Sequence, residues 1–138
     1  MLNQDDKKLD RIIDANFNRA KEGLRVCEDV CRFILDAKST TRSYKAVRHQ
    51  LTDIIGSLKI AQIIRARKVA TDVGRESTAV EFKRNGAIDI FYANSQRVKE
   101  SIRVLEEFTK LRNKRLAEDL KKLRYKIYAL EKNVIERC

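Results

Sequence analysis

The chain contains no proline, and only four glycines and one histidine occur among its 138 residues. Proline and glycine are the residues that most often interrupt helices, so their scarcity and the 37% charged fraction favour long helices in one domain. No apolar run approaches the roughly 18 residues of a membrane span, and the N-terminal MLNQDDKKLD is too polar for a secretory signal. These absences predict a cytoplasmic, all-α protein that does not contact the membrane.

Cysteine is also scarce. Cys27 and Cys31 are spaced by one helical turn, and Cys138 ends the sequence. Two thiols at that spacing could bind a metal, but no nearby residues supply the other ligands of a closed site. We therefore expect Cys27 and Cys31 to pack as small apolar side chains in a helix.

Basic residues exceed acidic ones, and the formal net charge is +11. A basic surface attracts anions such as nucleic acids, phosphorylated metabolites and acidic lipids, and charge alone does not choose among them. The lysines and arginines are spread along the chain without a block of five or six, which argues against a polybasic tail. Much of the charge is expected on solvated helix faces.

An internal repeat is the most informative feature of the sequence. Residues 15–28 read ANFNRAKEGLRVCE and residues 93–106 read ANSQRVKESIRVLE, with eight of the 14 positions identical at an offset of 78. A shorter match pairs KAVRHQL at 45–51 with KKLRYKI at 121–127, at an offset of 76. The change of offset predicts a second linker that is two residues shorter than the first.

Hydrophobic periodicity predicts the helices. The first should cover about residues 5–36, with a main apolar stripe and a second arc that together suggest burial on two sides. The second helix should begin with Ser39 or Thr40 as its cap and be interrupted near Gly56. The third helix is expected over about residues 87–111. The main stripe of the first helix comprises Ile13, Phe17, Ala20, Leu24, Cys27, Cys31 and Ile34, and its second arc comprises Ile12, Val26, Val30 and Phe33. The fourth helix carries a narrow coiled-coil-like seam at Leu116, Leu120, Leu123, Ile127, Leu130 and Val134.

Together these elements predict an all-α helical bundle built from a duplicated long helical hairpin. The two halves are expected at about residues 5–67 and 87–137 of a single domain. An irregular loop over residues 68–86 should connect them.

The repeated polar residues are the candidates for function. Asn16 and Arg19 recur as Asn94 and Arg97, and in both helices they fall among apolar positions that should be buried. Buried charge needs a partner, so one alternative is an internal network in which Arg19 meets Glu22 or Glu100 and the asparagine bonds to the backbone.

The other alternative is an anion site, because a guanidinium matches phosphate oxygens and an amide can donate beside it. Each copy also has a small residue one turn after its asparagine, Gly23 or Ser101. That space suits either a ligand or a close contact between helices.

Other repeated charges are expected to be structural. The residues Arg25, Glu28, Asp29 and Arg32, and their counterparts Arg103, Glu106, Glu107 and Lys110, have the spacing of surface ion pairs on a helix. We assign no chemistry to them.

Three further places suggest anion chemistry. Arg48 lies near the apolar edge of the second helix and is a candidate for a buried anion contact. His49 is opposite the apolar stripe, where a lone histidine usually has no special role, and it is retained beside Arg48 as a phosphate-binding candidate. In the segment TDVGRES at 71–77, Asp72 could hold magnesium, Gly74 could let the backbone approach a phosphate and Arg75 could neutralise it.

The segments RIIDANFNRAKEGLRVCEDVCRFIL, KAVRHQL, TDVGRE and ANSQRVKESIRVLEEFTKL resemble the small hydroxymethylpyrimidine-phosphate kinases of thiamine biosynthesis. That family occurs alone or fused ahead of thiamine-phosphate synthase, and the resemblance covers about residues 10–130. It implies transfer of phosphate from ATP to hydroxymethylpyrimidine phosphate, with specificity for the monophosphate over the free alcohol. Because the sequence ends where the synthase would begin, it resembles the stand-alone form.

The resemblance supplies no catalytic residues, so we assign the site from the sequence. Catalysis is expected from Arg19, Arg97 and Asp72, and magnesium binding from Glu22 and Glu100, with Asp72 as another candidate. Phosphate binding is expected from Asn16, Asn94, Arg48, His49, Gly74 and Arg75.

Two other functions remain open. A basic helical module that binds nucleic acid would have exposed arginines, and the apparent embedding of Arg19 and Arg97 argues against it. A non-catalytic partner of another thiamine-biosynthesis enzyme would bind protein tightly and turn over no ATP. The wide apolar arcs and the seam of the fourth helix could also support a homodimer.

Overall fold

The structure is a computed structural model that describes residues 4–75 and 85–138. These two ranges form α-helices joined by turns and contain no strand, so the all-α prediction is confirmed. Part of the expected loop at 68–86, including Glu76 and Ser77 of TDVGRES, lies outside the described residues. The elements are α1 (Gln4–Asp29), a π-helical turn (Val30–Ile34), α2 (Lys38–Gly56), α3 (Ile60–Arg65), α4 (Ala87–Thr109) and α5 (Lys114–Glu136).

The four long helices form a closed ring of neighbours. Helix α1 packs against α2 and α4, and α5 packs against the same two helices. Each hairpin, α1 with α2 and α4 with α5, therefore contacts the other through equivalent helices. The apolar stripes meet in the centre, where Tyr44 and Phe91 pack edge to face with 6.0 Å between ring centroids. The short α3 lies on the outside against α1.

Helices α1 and α4 approach most closely at Gly23. A Cβ atom on this residue would lie 2.6 Å from Val98 Cγ2 and 3.1 Å from the Asn94 carbonyl oxygen. The Cys27 thiol also donates to the Phe91 carbonyl at 3.7 Å, so α1 and α4 run antiparallel. Of the two uses for the small residue, the structure has close helix contact at Gly23.

The first hairpin turns differently from the prediction. The α-helical part of α1 ends at Asp29, and the continuous helix expected over 5–36 passes instead into the π-helical turn, where the Leu35 N–H donates to the Val30 carbonyl. Asp36 then adopts a left-handed conformation with φ 48°, and the Ala37 N–H donates to the Cys31 carbonyl, a closure one residue wider than the 6→1 hydrogen bond common at helix ends. The residues of this turn make the first linker longer than the second, which accounts for the change of the repeat offset from 78 to 76.

The expected cap of α2 is wrong. Helix α2 begins at Lys38 after Ala37, which makes no side-chain cap hydrogen bond. Thr40 and Thr41 both donate their hydroxyls to the Ala37 carbonyl, so they bond within the helix rather than cap it. Helix α5, by contrast, is capped by Asn113, whose side chain accepts from the Leu116 N–H.

Other expectations for the core agree with the structure. Helix α2 ends at Gly56, and the seam of α5 is buried, with only Leu130 partly accessible. Cys27 and Cys31 are free, buried thiols in the core, as predicted. The second arc of α1 is only partly enclosed, because Val30 is buried while Phe33 is exposed. Across residues 4–75 and 85–138 no helix is long and apolar enough to cross a membrane.

Candidate functional site

A buried ion pair joins the two helices of each hairpin. Glu28 of α1 accepts from Arg48 of α2 at 3.3 Å through both Nε and Nη2. Glu106 of α4 accepts from the same two atoms of Arg124 of α5, one on each carboxylate oxygen, with one contact at 3.1 Å. The hydrogen bonds that Arg124 donates to Glu106 raise the pKa of Arg124 above its ordinary value. The repeat therefore carries one intra-hairpin bridge in two copies.

The expectation that Glu28 and Glu106 form ion pairs on the helix surface is wrong. Glu28 and Glu106 are each 3% exposed, since each points along the side of its helix that meets the partner helix of the same hairpin. A carboxylate can be buried there because arginines satisfy both of its oxygens: Arg48 and Arg25 reach Glu28, and Arg124 alone reaches Glu106. The anion that Arg48 contacts in this structure is consequently Glu28, and its assignment to substrate phosphate stays a prediction.

The two repeated asparagines make matching hydrogen bonds to the backbone. Asn16 donates its amide to the Ile12 carbonyl at 2.9 Å, and Asn94 donates to the Ile90 carbonyl at 2.8 Å. The part of the network alternative in which asparagine bonds to the backbone is confirmed for Asn16, whereas its arginine makes no ion pair with a repeated glutamate in the described residues. Asn16 is buried, and its side-chain oxygen accepts from Arg19 Nη1 at 3.5 Å, which orients that arginine.

The repeated arginines are exposed rather than buried. Arg19 and Arg97 lie on accessible faces, so the expectation that they occupy a buried surface is wrong. Glu22 and Glu100 are accessible as well. The expectation depended on a second buried arc of α1, but Ile12 and Val26 of that arc are only half-buried. The argument against nucleic-acid binding, which assumed that these arginines are embedded among apolar residues, therefore no longer holds.

A basic cleft of about 410 Å³ lies along α1 beneath the segment that follows α3. It brings together Asn16, Arg19 and Asp72, three of the residues predicted for the site. The remaining lining is mostly cationic and was not predicted. It includes Lys8, Arg11, Arg67 and Lys68.

An ion pair holds the second wall of this cleft in place. Arg67 donates to both carboxylate oxygens of Asp14, at 2.6 and 2.7 Å, and Asn18 donates to Asp14 at 3.1 Å. The contact with Asp14 raises the pKa of Arg67 above its ordinary value. Asp14 has Tyr92 at its repeat position, so the duplication offered no signal for it.

Asp72 and its neighbours form an exposed turn at the rim of the cleft. Asp72 Oδ1 accepts from the Gly74 N–H at 3.1 Å, and the Arg75 N–H donates to the Asp72 carbonyl at 3.3 Å. Gly74 does not have a positive φ, so this turn does not require glycine for its backbone. The second carboxylate oxygen of Asp72 has no hydrogen bond within the described residues.

The other predicted residues lie elsewhere. Arg97 does not line the cleft, but the register of the antiparallel α1–α4 pair puts it at nearly the same level as Arg19. His49 is exposed on α2, and Arg48 lines a different cavity at the turn of the first hairpin. In the part of the chain that the structure describes, no three His, Cys, Asp or Glu side chains cluster as a metal site. Metal binding by Glu22 or Glu100 stays a prediction.

Comparison with known proteins places these features in a family. A model of the ThiD2 family matches residues 11–133. The chain is similar to the thiamine-phosphate synthase of Synechocystis sp., with 40% identity over 126 residues that cover 91% of this chain and 36% of the relative. It is also similar to thiamine-phosphate synthases of Nostoc punctiforme, at 36% identity over 91% of this chain and 35% of the relative, and of Prochlorococcus marinus subsp. pastoris, at 35% identity over 98% and 38%.

The chain thus spans just over a third of the length of the curated relatives it matches. No solved structure matches it.

Proposed function

The chain belongs to the ThiD2 family, and from that membership we propose that it acts in thiamine biosynthesis as an ATP-dependent kinase that converts hydroxymethylpyrimidine phosphate into its diphosphate. The name shared by the relatives supports the pathway. Because the chain covers only part of those relatives, the kinase step depends on the motif resemblance and on the cleft. The observation that carries it is the convergence of Asn16, Arg19 and Asp72 in one cationic cleft.

The proposed reaction suits a site without a conventional general base. An oxygen of the substrate phosphate attacks the γ-phosphorus of ATP, the bond from that phosphorus to the β,γ-bridging oxygen breaks, and ADP leaves with the electron pair. A phosphate monoester has a second pKa of about 6, so this nucleophile is largely ionised at neutral pH. The main difficulty is bringing two polyanions together, and cationic side chains reduce that repulsion.

Arg19 is the residue best placed to bind a phosphoryl group in the cleft. Its guanidinium is exposed and is oriented by Asn16, whose own amide is occupied by the Ile12 carbonyl. We therefore assign Asn16 as a positioning residue for Arg19 and not as a direct phosphate ligand. Lys8, Arg11 and Lys68 add positive potential around the same space.

Asp72 suits a magnesium-dependent reaction. One of its oxygens accepts from the Gly74 N–H, and the other is available at the rim of the cleft. Magnesium is usually held in phosphoryl-transfer sites by one or two carboxylates together with phosphate oxygens and waters, so one carboxylate is an adequate protein contribution. When bound, the ion would neutralise charge on the phosphates.

Arg97 is proposed to act from the neighbouring helix. It is the repeat counterpart of Arg19, it is exposed, and its guanidinium has no hydrogen bond or ion pair within residues 4–75 and 85–138. Its level along α4 suits two arginines that reach one polyphosphate from adjacent helices. Unlike Asn16, Asn94 makes no hydrogen bond to its arginine within the described residues, and its assignment to phosphate binding stays a prediction.

The experiment is to measure ADP release from ATP and magnesium with hydroxymethylpyrimidine phosphate or the free alcohol as acceptor. We expect turnover with the monophosphate alone, and mass spectrometry should identify the diphosphate as the product. If folded protein turns over neither acceptor, the kinase proposal is wrong.

The partial coverage of the relatives favours one alternative, a non-catalytic partner of a thiamine-phosphate synthase. In those relatives the matching segment belongs to a chain nearly three times its length. This alternative predicts tight binding to a separate synthase and no ADP release. The same assay, followed by sedimentation of the mixed proteins, separates the two functions.

A further inference from the structure

A second cavity, of about 580 Å³, lies at the turn of the first hairpin, between the end of α1 and the start of α2. Its lining contains two acidic residues, Glu28 and Asp36. The cationic lining residues are Arg25, Arg32, Lys38, Arg42, Lys45 and Arg48. Such a volume is within the usual range for a small-molecule site.

Most of this positive charge is not neutralised by the protein. Glu28 is shared by Arg25 and Arg48, each at 3.3 Å, which uses the one buried carboxylate of the cavity. Within the described residues, no carboxylate lies within ion-pair distance of the other four cations, Arg32, Lys38, Arg42 and Lys45. Like charges gathered around one concave space repel each other, and a multivalent anion would relieve that repulsion.

The backbone reinforces the positive potential. Because of the π-helical turn and the left-handed Asp36, the first residue of α2 lies immediately beside the end of α1. Lys38 and Thr41, both in the first turn of α2, line the cavity, and Ala37 provides no side-chain cap. The first N–H groups of a helix are free to meet an anion in such a case.

The second hairpin shows that this cluster is not only an inherited part of the repeat. Lys110, Lys114 and Lys121 stand at the positions of Arg32, Lys38 and Lys45, but Glu118 stands at the position of Arg42. Glu107 there accepts from Lys110 at 2.9 Å and pairs with Arg103 at 3.2 Å. Charge is therefore more nearly balanced in the second half.

We propose that the cavity at the first hairpin turn binds the polyphosphate group of a small molecule, a chain of two or three phosphoryl groups. Four unpaired cations match the charge of such a group better than that of a single carboxylate or monophosphate. The cavity is separate from the cleft proposed for catalysis, since the two share no lining residue and their nearest lining residues on α1, Arg19 and Arg25, are about 9 Å apart along the helix axis. A ligand here would not react there, so the site does not depend on the kinase proposal.

The test is titration calorimetry of the full chain with inorganic tripolyphosphate, without magnesium, at about 150 mM salt. Arg42→Glu, which copies the second hairpin, and Lys45→Glu should each raise the Kd at least about tenfold, as expected from loss of a charge-assisted contact. Lys121→Glu is the matched control, because it makes the same change of charge at the counterpart of Lys45. It should leave the Kd within about twofold.

Several results would overturn the proposal. Absence of tripolyphosphate binding by the folded parent chain would do so, as would equal weakening by Lys121→Glu. Loss of binding in Arg19→Ala together with unchanged binding in Arg42→Glu would assign the ligand to the other cleft. Salt-sensitive binding of RNA without binding of tripolyphosphate would identify a nucleic-acid surface instead. Circular dichroism of each variant, with Arg42→Gln as a milder change, controls for folding.

Discussion

At the scale of single residues, the repeated arginine has a different environment from the repeated glutamate. Arg19 and Arg97 are exposed and available, whereas Glu28 and Glu106 are enclosed and paired. Duplication preserved both, but for different physical reasons. One set faces solvent where a ligand can approach, and the other joins two helices.

The first prediction concerns Arg19 and Arg97. Replacing either by alanine should lower kcat/KM for the proposed kinase reaction by about 10²-fold or more, because each removes a cation from the phosphoryl groups in the transition state. Arg103→Ala removes an exposed arginine of α4 that pairs with Glu107 and should have little effect. Steady-state kinetics decide the matter, and values within a few-fold of the parent for both variants would rule out these roles.

The second prediction concerns the buried thiols. Burial raises the pKa of Cys27 above its usual range, and burial likewise raises the pKa of Cys31. In the unfolded chain a thiol ionises with a pKa of about 8.5. The contribution of each buried, protonated thiol to the unfolding free energy is therefore complete below that pH. It is lost as the pH rises further, by about 1.4 kcal/mol per pH unit for each thiol while the folded form stays protonated.

Urea unfolding under reducing conditions between about pH 7.5 and 10.5 measures this loss. The slope of the unfolding free energy against pH should be shallower in Cys27→Ala, whatever its stability at neutral pH. Cys138→Ser, at an exposed thiol, should keep the parent slope. Identical slopes for the parent and Cys27→Ala would contradict the assignment.

At the scale of helices, contacts between neighbours decide how the hairpins are joined. The third prediction is that Gly23→Ala destabilises the protein by about 1–3 kcal/mol, although alanine favours a helix. Its Cβ would meet Val98, whose branched side chain has little rotamer freedom, and the backbone oxygen of Asn94. Urea denaturation should show the loss, and adding Val98→Ala should recover part of it only if crowding is the cause.

Gly56→Ala is the control for helix propensity. Outside its own turn of helix, no atom of the described residues lies within 4 Å of a Cβ built at that glycine, which ends α2. Its unfolding free energy should stay close to that of the parent. A stable Gly23→Ala variant would mean that α1 and α4 can separate at little cost.

The fourth prediction concerns the bridge between α4 and α5. Glu106→Gln should lower the unfolding free energy by about 3 kcal/mol, since it leaves the Arg124 guanidinium largely buried beside a neutral amide. Glu107→Gln changes the adjacent but exposed glutamate and should have little effect. Equal stability of the two variants in urea would show that Arg124 escapes to solvent.

At the scale of the whole molecule, the net charge of +11 is spread over both hairpins. The fifth prediction is that nucleic acid binds weakly and without sequence preference, and that this binding disappears between about 50 and 200 mM salt. Fluorescence anisotropy with labelled single-stranded RNA measures it. Tight binding that persists at the higher salt would favour the nucleic-acid function over the kinase.

Much of the architecture could be predicted from apolar periodicity and from the repeat. The seam of α5, the buried cysteines, the interruption after Gly56 and the duplicated hairpin all follow from residue spacing within single helices. The helix ends were less predictable. The π-helical turn and the uncapped start of α2 depend on how Cys31, Asp36 and Ala37 close the first hairpin.

The candidate site was only partly accessible to sequence reasoning. Asn16, Arg19 and Asp72 were identified, but their common cleft depends on Arg67 reaching Asp14 across a separation of 53 residues. Lys8, Arg11 and Lys68 carry no local signal that distinguishes them from ordinary surface charges. The turn containing Asp72 shares a site with α1 only because α3 folds back on that helix.

The amino-acid sequence by itself therefore determined the helical class, the two-fold repetition of the hairpin and the identity of the repeated polar residues. These properties depend on the spacing of residues along the chain, because that spacing determines which residues share one face of a helix. Only the tertiary structure decided which of those residues are enclosed and which are free. Whether Glu28 or Arg19 meets solvent depends on which helices pack beside α1, and that packing is a joint property of all the apolar faces in the bundle.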